Sequence, residues 1–478
     1  MNNNRKNLSE CTTIIVGDEA TTDGSRFLCR SSDFDAMMAI NYEFHKDTNF
    51  GPTEFVAKDS AFRCPLPQQA LGYTGLPDYQ FPGEWGSAGF NTAGVGMSST
   101  ETIFSSAEAL KYDPYVKDGL AENCTYNIVL PYIHTAREGV ERLGGLIEKY
   151  GSAEGFGIGF IDDKEVWYLE NACGHRWLAT RIPRDEYFVT GNQSRFRDYD
   201  PNDKENFLAA PDLVEFAEKN GLYDPKKGKF DFHTAYSHDG KDAQDDTTYN
   251  YPRVWGLQGI FSPQIKNDVT KNTFPVFAKA EKPFDLETLR QAFRFHYDGT
   301  DHDPYLHNNG KEPYRPVSIF RTTQTHIIQV RKDLPAAIGH ITYVALGMAD
   351  LGVFLPLYQG VTDVPEEYKT GNGHCSDDSA YWIFRKVMTL AMTDYNRFAP
   401  IVKETYHKLE QENDQRQKEF EADYLKVCKD QPVKAQEMLQ AFSDELLVRA
   451  LVVADDLAND LLTRMTKSTM EEYLFHGA

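Results

Sequence analysis

The sequence predicts an α+β fold in which sheets are covered by helices, and three observations predict it. Short runs rich in Ile, Val, Thr and aromatic residues fill the first hundred positions and return between 156 and 190. Between them, Ile128, Tyr132, Ala136, Val140, Leu143 and Ile147 recur at three- and four-residue spacing, an amphipathic helical stripe over 123–150. From residue 378 onward the pattern changes to long helices. Strands, a helical layer and strands again imply sheets packed by helices.

Taken in order, 1–10 (MNNNRKNLSE) is polar, buries almost nothing, and lacks the apolar core of a secretory signal, so it reads as a disordered leader. Glu10 to Gly17 (ECTTIIVG) then places a cysteine at the mouth of a β-branched run. Asp23-Gly24 favours a tight reversal and 26–31 supplies a return strand, so 11–31 reads as a hairpin. A turn centred near residue 21 brings the neighbourhood of Arg30 and Ser31 opposite Cys11, with facing Cβ atoms about 5 Å apart. Strand pieces follow at 40–45 and 54–57, and 71–90 is a loop of Gly, Pro and aromatics, suited to a pocket wall or lid or to a packed surface loop.

Residues 94–99 read as a strand entering a loop, 156–170 as a hairpin turning at 162–164, and 177–182 and 187–190 as strands. Gly155, Gly157 and Gly159 resemble a phosphate loop only superficially, because no helix and no Lys-Ser/Thr follows; they belong to a strand. The tract 197–250 is polar, with a helix over 213–219, and 317–330 and 338–346 return to strands. Helices are expected over 379–394, 401–429 and 433–474, the last broken. The charge-dense run Glu410 to Glu421 reads as a solvated helix face. The stripe Leu446, Leu447, Ala450, Leu451, Ala454, Leu457 and Leu461 is core within the fold or an interface between chains.

At 478 residues the chain suits two ordinary domains or one large one, and 41% hydrophobic with 26% charged residues fits a soluble globular protein. No apolar run approaches the roughly 18 residues of a membrane span. A formal charge of −22 opposes nucleic acid and anionic membranes as partners. Seven scattered cysteines without a Cys-x-x-Cys pair point to a reducing, cytoplasmic setting with no disulfide framework and no structural zinc. His374-Cys375 beside Asp377-Asp378 comes nearest to a metal set, yet reads more simply as a helix start. No metal and no cofactor is expected.

Cys11 itself reads in two ways: a small apolar residue at a strand end, or a nucleophile. A nearby cation such as Arg30 favours the thiolate. A cut between Glu10 and Cys11 would also expose an α-amine titrating near about pH 8, close to a thiol near about 8.5, so one residue would supply nucleophile and base.

The residues around Cys11 carry a resemblance. Cys11 to Gly17, Asp23-Gly24-Ser25 and Arg30-Ser31-Ser32-Asp33 resemble the opening of the cysteine dipeptidases typified by bacterial dipeptidase A, relatives of secernins and, more remotely, of bile-salt hydrolases and penicillin V acylases. The likeness continues at 91–98 (NTAGVGMS), 189–193 (VTGNQ), 251–256 (YPRVWG) and 354–358 (FLPLY), and so spans most of the chain. It implies an αββα sandwich of N-terminal-nucleophile type over 11–375, with a helical C-terminal region, 376–478, packed on it. It implies a homo-oligomer as well.

The resemblance also implies roles. Cys11 is the nucleophile, and Asn192 donates to the oxyanion. Asp33 holds the α-ammonium, and Arg30 and Arg253 polarise the site, one of them reading the substrate carboxylate. A backbone N–H near Ser99 is the candidate second oxyanion donor, and Glu101 the candidate acceptor for a substrate amine. Ten residues precede Cys11, so activity demands their removal. The function expected is hydrolysis of unblocked dipeptides. Alternatives are an amidase of the same chemistry acting on N-acyl amino acids or bile-salt-like amides, and a catalytically silent protein interacting through its acidic helices.

Overall fold

The computed structural model describes residues 10–237, 246–306 and 311–473, and of Glu10, Thr100 and Glu101 the backbone alone. The leader expected over 1–10 lies outside the described residues apart from Glu10. The fold is mixed α and β, built on two antiparallel sheets.

The first sheet has seven strands in the order Phe277–Ala278, Tyr187–Thr190, Glu10–Val16, Arg26–Asp33, Thr322–Val330, His340–Leu346, Leu355–Tyr358. The second has six, ordered Phe207–Ala209, Trp177–Arg181, Val166–Asn171, Phe156–Ile161, Gly96–Thr102, Ala88–Phe90. The 11–31 hairpin forms as expected, with β-branched side chains lining strand Glu10–Val16 and Asp23-Gly24 in the reversal. Gly24 adopts φ +75, a conformation that glycine takes without strain.

The two sheets pack face to face. A Cβ on Gly159 would meet Leu28 Cδ1 of the opposite sheet at 2.4 Å, so the glycine lets the sheets close. This is the physical reason for the glycine-rich strand that mimics a phosphate loop in sequence. Helix Ala136–Tyr150 covers the outer face of the six-stranded sheet, where Gly139 and Gly144 let it sit against Phe160 and Trp177. The single helical region expected over 123–150 is two helices, Glu122–Val129 and Ala136–Tyr150, parted by a short 3-10 turn at Leu130–Tyr132. Pro131 in that turn lacks the N–H that a continuous helix needs.

On the far side, helices Ala380–Met392, Tyr395–Val427 and Pro432–Glu472 form a layer over the seven-stranded sheet. The last runs unbroken for 41 residues, against the expectation of a break. Its Leu446-to-Leu461 stripe is buried within the chain. The run 410–421 is not simply a solvated face: Glu410, Asn413 and Gln417 are buried. Guanidinium groups from the rest of the fold explain this. Arg294 pairs with Glu410 at 2.7 Å, Arg290 with Asp414 at 2.7 Å, and Arg331 with Glu421 at 2.7 Å. Buried charges persist where such partners exist. Among the described residues no helix is long and apolar enough to cross a membrane.

Candidate active site

Strand Glu10–Val16 lies inside the seven-stranded sheet, between Arg26–Asp33 and Tyr187–Thr190. Cys11 stands opposite Ser32 and Thr13 opposite Arg30. Directly paired residues share a face, so Arg30 meets Cys11 on the diagonal. Its Nη2 donates to Cys11 Sγ at 3.0 Å. The residue facing Cys11 is therefore Ser32. Ser31 turns to the other face and accepts from Thr12 N–H at 3.2 Å.

A guanidinium at that distance stabilises negative charge on sulfur. Of the other buried cysteines, none has a guanidinium donating to its sulfur among the described residues, and the cations near Cys64 (Arg142, Lys149) and Cys173 (Arg176) do not outweigh burial. Burial pushes the thiols of Cys29, Cys64, Cys124 and Cys173 up, and the last also donates to Asp113. Cys11 is as buried as they are, at 1% exposed, yet it sits against a cation.

Beyond Thr190, which pairs with Thr13, the chain turns and brings Asn192 beside Cys11. Cys11 N–H donates to Asn192 Oδ1 at 3.2 Å, and Asn192 Nδ2 donates to Thr102 O at 3.3 Å. Arg253 locks this corner from helix Tyr251–Phe261. Its Nη1 donates to Cys11 O and to Thr12 Oγ1 (3.1 Å). Its Nη2 donates to Asn192 Oδ1 (2.9 Å) and Asn250 Oδ1 (2.6 Å), and its Nε to Tyr249 O (3.1 Å). A guanidinium has five N–H donors, and all five are engaged. Arg253 thus pins the backbone of the cysteine and leaves no donor for a substrate carboxylate. Gly191 is required for this fit, because a Cβ there would lie 2.9 Å from the Arg253 guanidinium carbon.

Two cavities flank this corner and share the walls Phe34, Met38 and Trp85. The smaller, of about 100 Å³, is lined by Arg30 and Ser32; the larger, of about 440 Å³, by Thr102, the residue bonded to Asn192. The 71–90 loop builds much of the wall through Asp78, Gln80, Phe81, Trp85 and Ser87. Trp85 and Ser87 both sit at φ +56, where side chains rarely go. Trp85 N–H is fixed on Asn123 O (2.8 Å), and Ser87 Oγ donates to Trp85 O (2.9 Å), which holds the strained turn in place.

The model of peptidase family C69 matches residues 10–408, opening one residue before Cys11. The chain belongs to peptidase family C69. It is 49% identical over 354 residues to a probable dipeptidase of Salmonella dublin, covering 73% of this chain and 81% of that protein. It is 33% identical over 406 residues to dipeptidase A of Lactobacillus helveticus, covering 82% and 84%. Against probable dipeptidase B of Lactococcus lactis subsp. lactis it is 32% identical over 438 residues, covering 89% and 91%.

In this peptidase Asp33 stands opposite Glu10 in the strand pair. Its carboxylate accepts from Arg315 Nη2, from Thr322 Oγ1 at 2.5 Å and from Ser31 Oγ at 3.2 Å. Arg315 is a residue near the site that sequence reasoning missed, since it is brought there by the loop leading into strand Thr322–Val330, which pairs with Arg26–Asp33. A backbone donor is expected near Ser99, and the N–H of Ser99 itself is engaged elsewhere, donating to Ser87 O at 2.9 Å. Its carbonyl instead accepts from Arg30 Nη1, so Ser99 anchors the arginine rather than an oxyanion. The side chain of Glu101 lies outside the described residues.

His326 is the other residue missed. It pairs directly with Arg30 across strand Thr322–Val330, fully buried, with Nε2 2.8 Å from Ser98 Oγ and Nδ1 3.1 Å from Gln324 Oε1. Burial and the charge of Arg30 hold its pKa well below the ordinary imidazole value, so the ring is neutral. Its one sequence signal is a polar residue in an otherwise strand-like run.

Proposed function

We propose that this peptidase is a cysteine-type dipeptidase of N-terminal-nucleophile type, in which Cys11 becomes the first residue and cleaves unblocked dipeptides. One observation carries the reading. The sulfur of Cys11 lies 3.0 Å from Arg30 Nη2, while the nitrogen of the same residue faces Asn192 Oδ1 at 3.2 Å. Nucleophile and prospective base thus each have a partner suited to the charge they would carry. The αββα order of layers and the names of the relatives, dipeptidases among them, support the same reading.

In this mechanism the thiolate attacks the peptide carbonyl and the new C–S bond forms as the carbonyl π electrons move to oxygen. The α-amine of Cys11, directly or through water, relays a proton to the departing amine as the C–N bond breaks. Water then hydrolyses the thioester and restores the thiolate. Asn192, whose Nδ2 points to the Thr102 carbonyl before substrate binds, donates to the oxyanion, an interaction of a kind whose loss costs about 3–4 kcal/mol. Arg253 is a positioning residue. Asp33, bound to Arg315, keeps the neighbouring strand end in place for the α-ammonium.

The reading includes a cytoplasmic setting, supported by seven cysteines with no disulfide between them. It includes a homo-oligomer, as the family resemblance implies. Mass spectrometry of active protein and a hydrolysis panel test the whole. A mature chain beginning at Cys11 that cleaves free dipeptides and spares N-acylated substrates is expected, with Cys11→Ala inactive. Activity in a chain still carrying residue 1 or 2 overturns the amine as base. The reverse substrate preference makes the protein an N-acyl amidase. Processed wild type with no turnover on any amide makes it a silent interaction protein.

A further inference from the structure

Glu122 and Glu154 are neighbours that both line the larger cavity. Glu122 opens helix Glu122–Val129, and its Oε1 accepts from Thr102 Oγ1 at 2.9 Å. Glu154 lies in the loop before strand Phe156–Ile161, and its Oε1 accepts from the backbone N–H of Glu122 at 2.9 Å. Thr102 connects this pair to the nucleophile, because its carbonyl accepts from Asn192, which in turn accepts from Cys11 N–H. The wall beside the carboxylates is largely apolar, with Phe34, Met38, Trp85, Ile103 and Leu110, and it carries a further acid, Asp35. Burial and the neighbouring Glu122 push the Glu154 carboxyl up to about 7, and the other charge acting on it is also a carboxylate, Asp59.

We infer that this cavity receives the side chain of a dipeptide residue with an apolar stem and a cationic tip, lysine or arginine, which Glu122 and Glu154 bind. The inference rests on the dipeptidase reading for the chemistry at Cys11. Covalent geometry separates it from recognition of the α-amine. The N–Cα and Cα–C bonds of about 1.5 Å keep an α-ammonium within roughly 2.5 Å of the reacting carbonyl carbon, hence at Cys11 itself. A side chain of four carbons reaches on into a volume of about 440 Å³, its stem against the aromatic wall and its charge at the far carboxylates. A cation placed there also relieves the repulsion between two acids that share a site.

The test compares Lys-Ala with norleucyl-Ala, and Ala-Lys with alanyl-norleucine, on processed wild type and Glu154→Gln. Norleucine keeps the apolar stem and lacks the charge. The expected result is a kcat/KM ratio favouring lysine in one of the two orders, falling roughly 10- to 100-fold in the variant, the scale of a lost hydrogen bond to a charged group. A ratio near one in wild type, a ratio that Glu154→Gln leaves within twofold, or an equal loss for lysine and norleucine peptides each overturns the inference. The last outcome assigns the carboxylates to the α-amine or to structure.

Should wild type cleave no dipeptide, the dipeptidase reading falls, and titration calorimetry with the same peptides still decides. Lysine peptides bound tenfold tighter, with the difference lost in Glu154→Gln, support the cavity's role. Equal binding of lysine and norleucine peptides overturns it.

Discussion

Arg30 and His326 stand directly opposite each other on neighbouring strands, a buried cation against an imidazole kept neutral. The folded state resists protonating His326 because burial and the Arg30 charge both oppose a second positive group. The unfolded chain takes up that proton below about pH 6.5. Stability from this residue is therefore present above pH 6.5 and falls as the pH drops, by about 1.4 kcal/mol per unit. His326→Gln, which keeps a polar group for Ser98, should flatten the acid limb of a plot of urea midpoint against pH. An unchanged slope between pH 6.5 and 4.5 would falsify the assignment.

Asn192 combines an acceptor for Cys11 N–H and Arg253 with a donor directed elsewhere. Asn192→Asp keeps the acceptor and removes the donor. Steady-state kinetics should give a kcat lower by about 100-fold or more with KM little changed. Thermal melting should give a loss of stability much smaller than the loss of rate, because the carboxylate still binds Arg253 although the bond to Thr102 O is lost. A drop in melting temperature that parallels the loss of rate would assign Asn192 a structural role.

Arg315 and Asp33 form an ion pair with side-chain exposures of 3% and 0%. Arg315→Met leaves the carboxylate buried without its cation, at a cost of about 3–5 kcal/mol. Adding Asp33→Asn should recover most of that loss, read from denaturant midpoints as a double-mutant cycle. Additive losses would mean that the two residues act separately.

Glu154 shows the opposite sign to His326. Its folded pKa of about 7 lies above its ordinary 4.5, so folding favours the protonated acid. Stability from this group is full below pH 4.5 and is lost as the pH rises through about 7. Glu154→Gln should therefore gain about 1–2 kcal/mol at pH 8, a figure reduced for the side chain's partial exposure, and nothing at pH 4. Differential scanning calorimetry at the two pH values checks it, and an equal shift at both would refute it.

Much of this centre was legible in the chain because it is local. The β-branched run after Cys11 and the Asp23-Gly24 turn fix a hairpin, and the hairpin alone places Arg30 on the face of the sulfur. The rest depends on long connections. Arg253 was named from a motif, but its helix Tyr251–Phe261 was not expected, because Pro252, Gly256 and Gly259 weaken helix propensity. Pro252 falls in its first turn, where proline is tolerated. Glu122 and Glu154 show no periodic relation, and only the packing of a helix start against a loop makes them neighbours. The buried face of 410–421 was hidden because its partners, Arg290, Arg294 and Arg331, come from elsewhere in the sequence.

The five-fold grip of Arg253 has a bearing on maturation. Among the described residues, the atoms it holds belong to Cys11, Thr12, Asn192, Tyr249 and Asn250. The proposed scission ahead of Cys11 leaves those five anchors in place, so on that reading the cut asks no rearrangement of this corner of the fold.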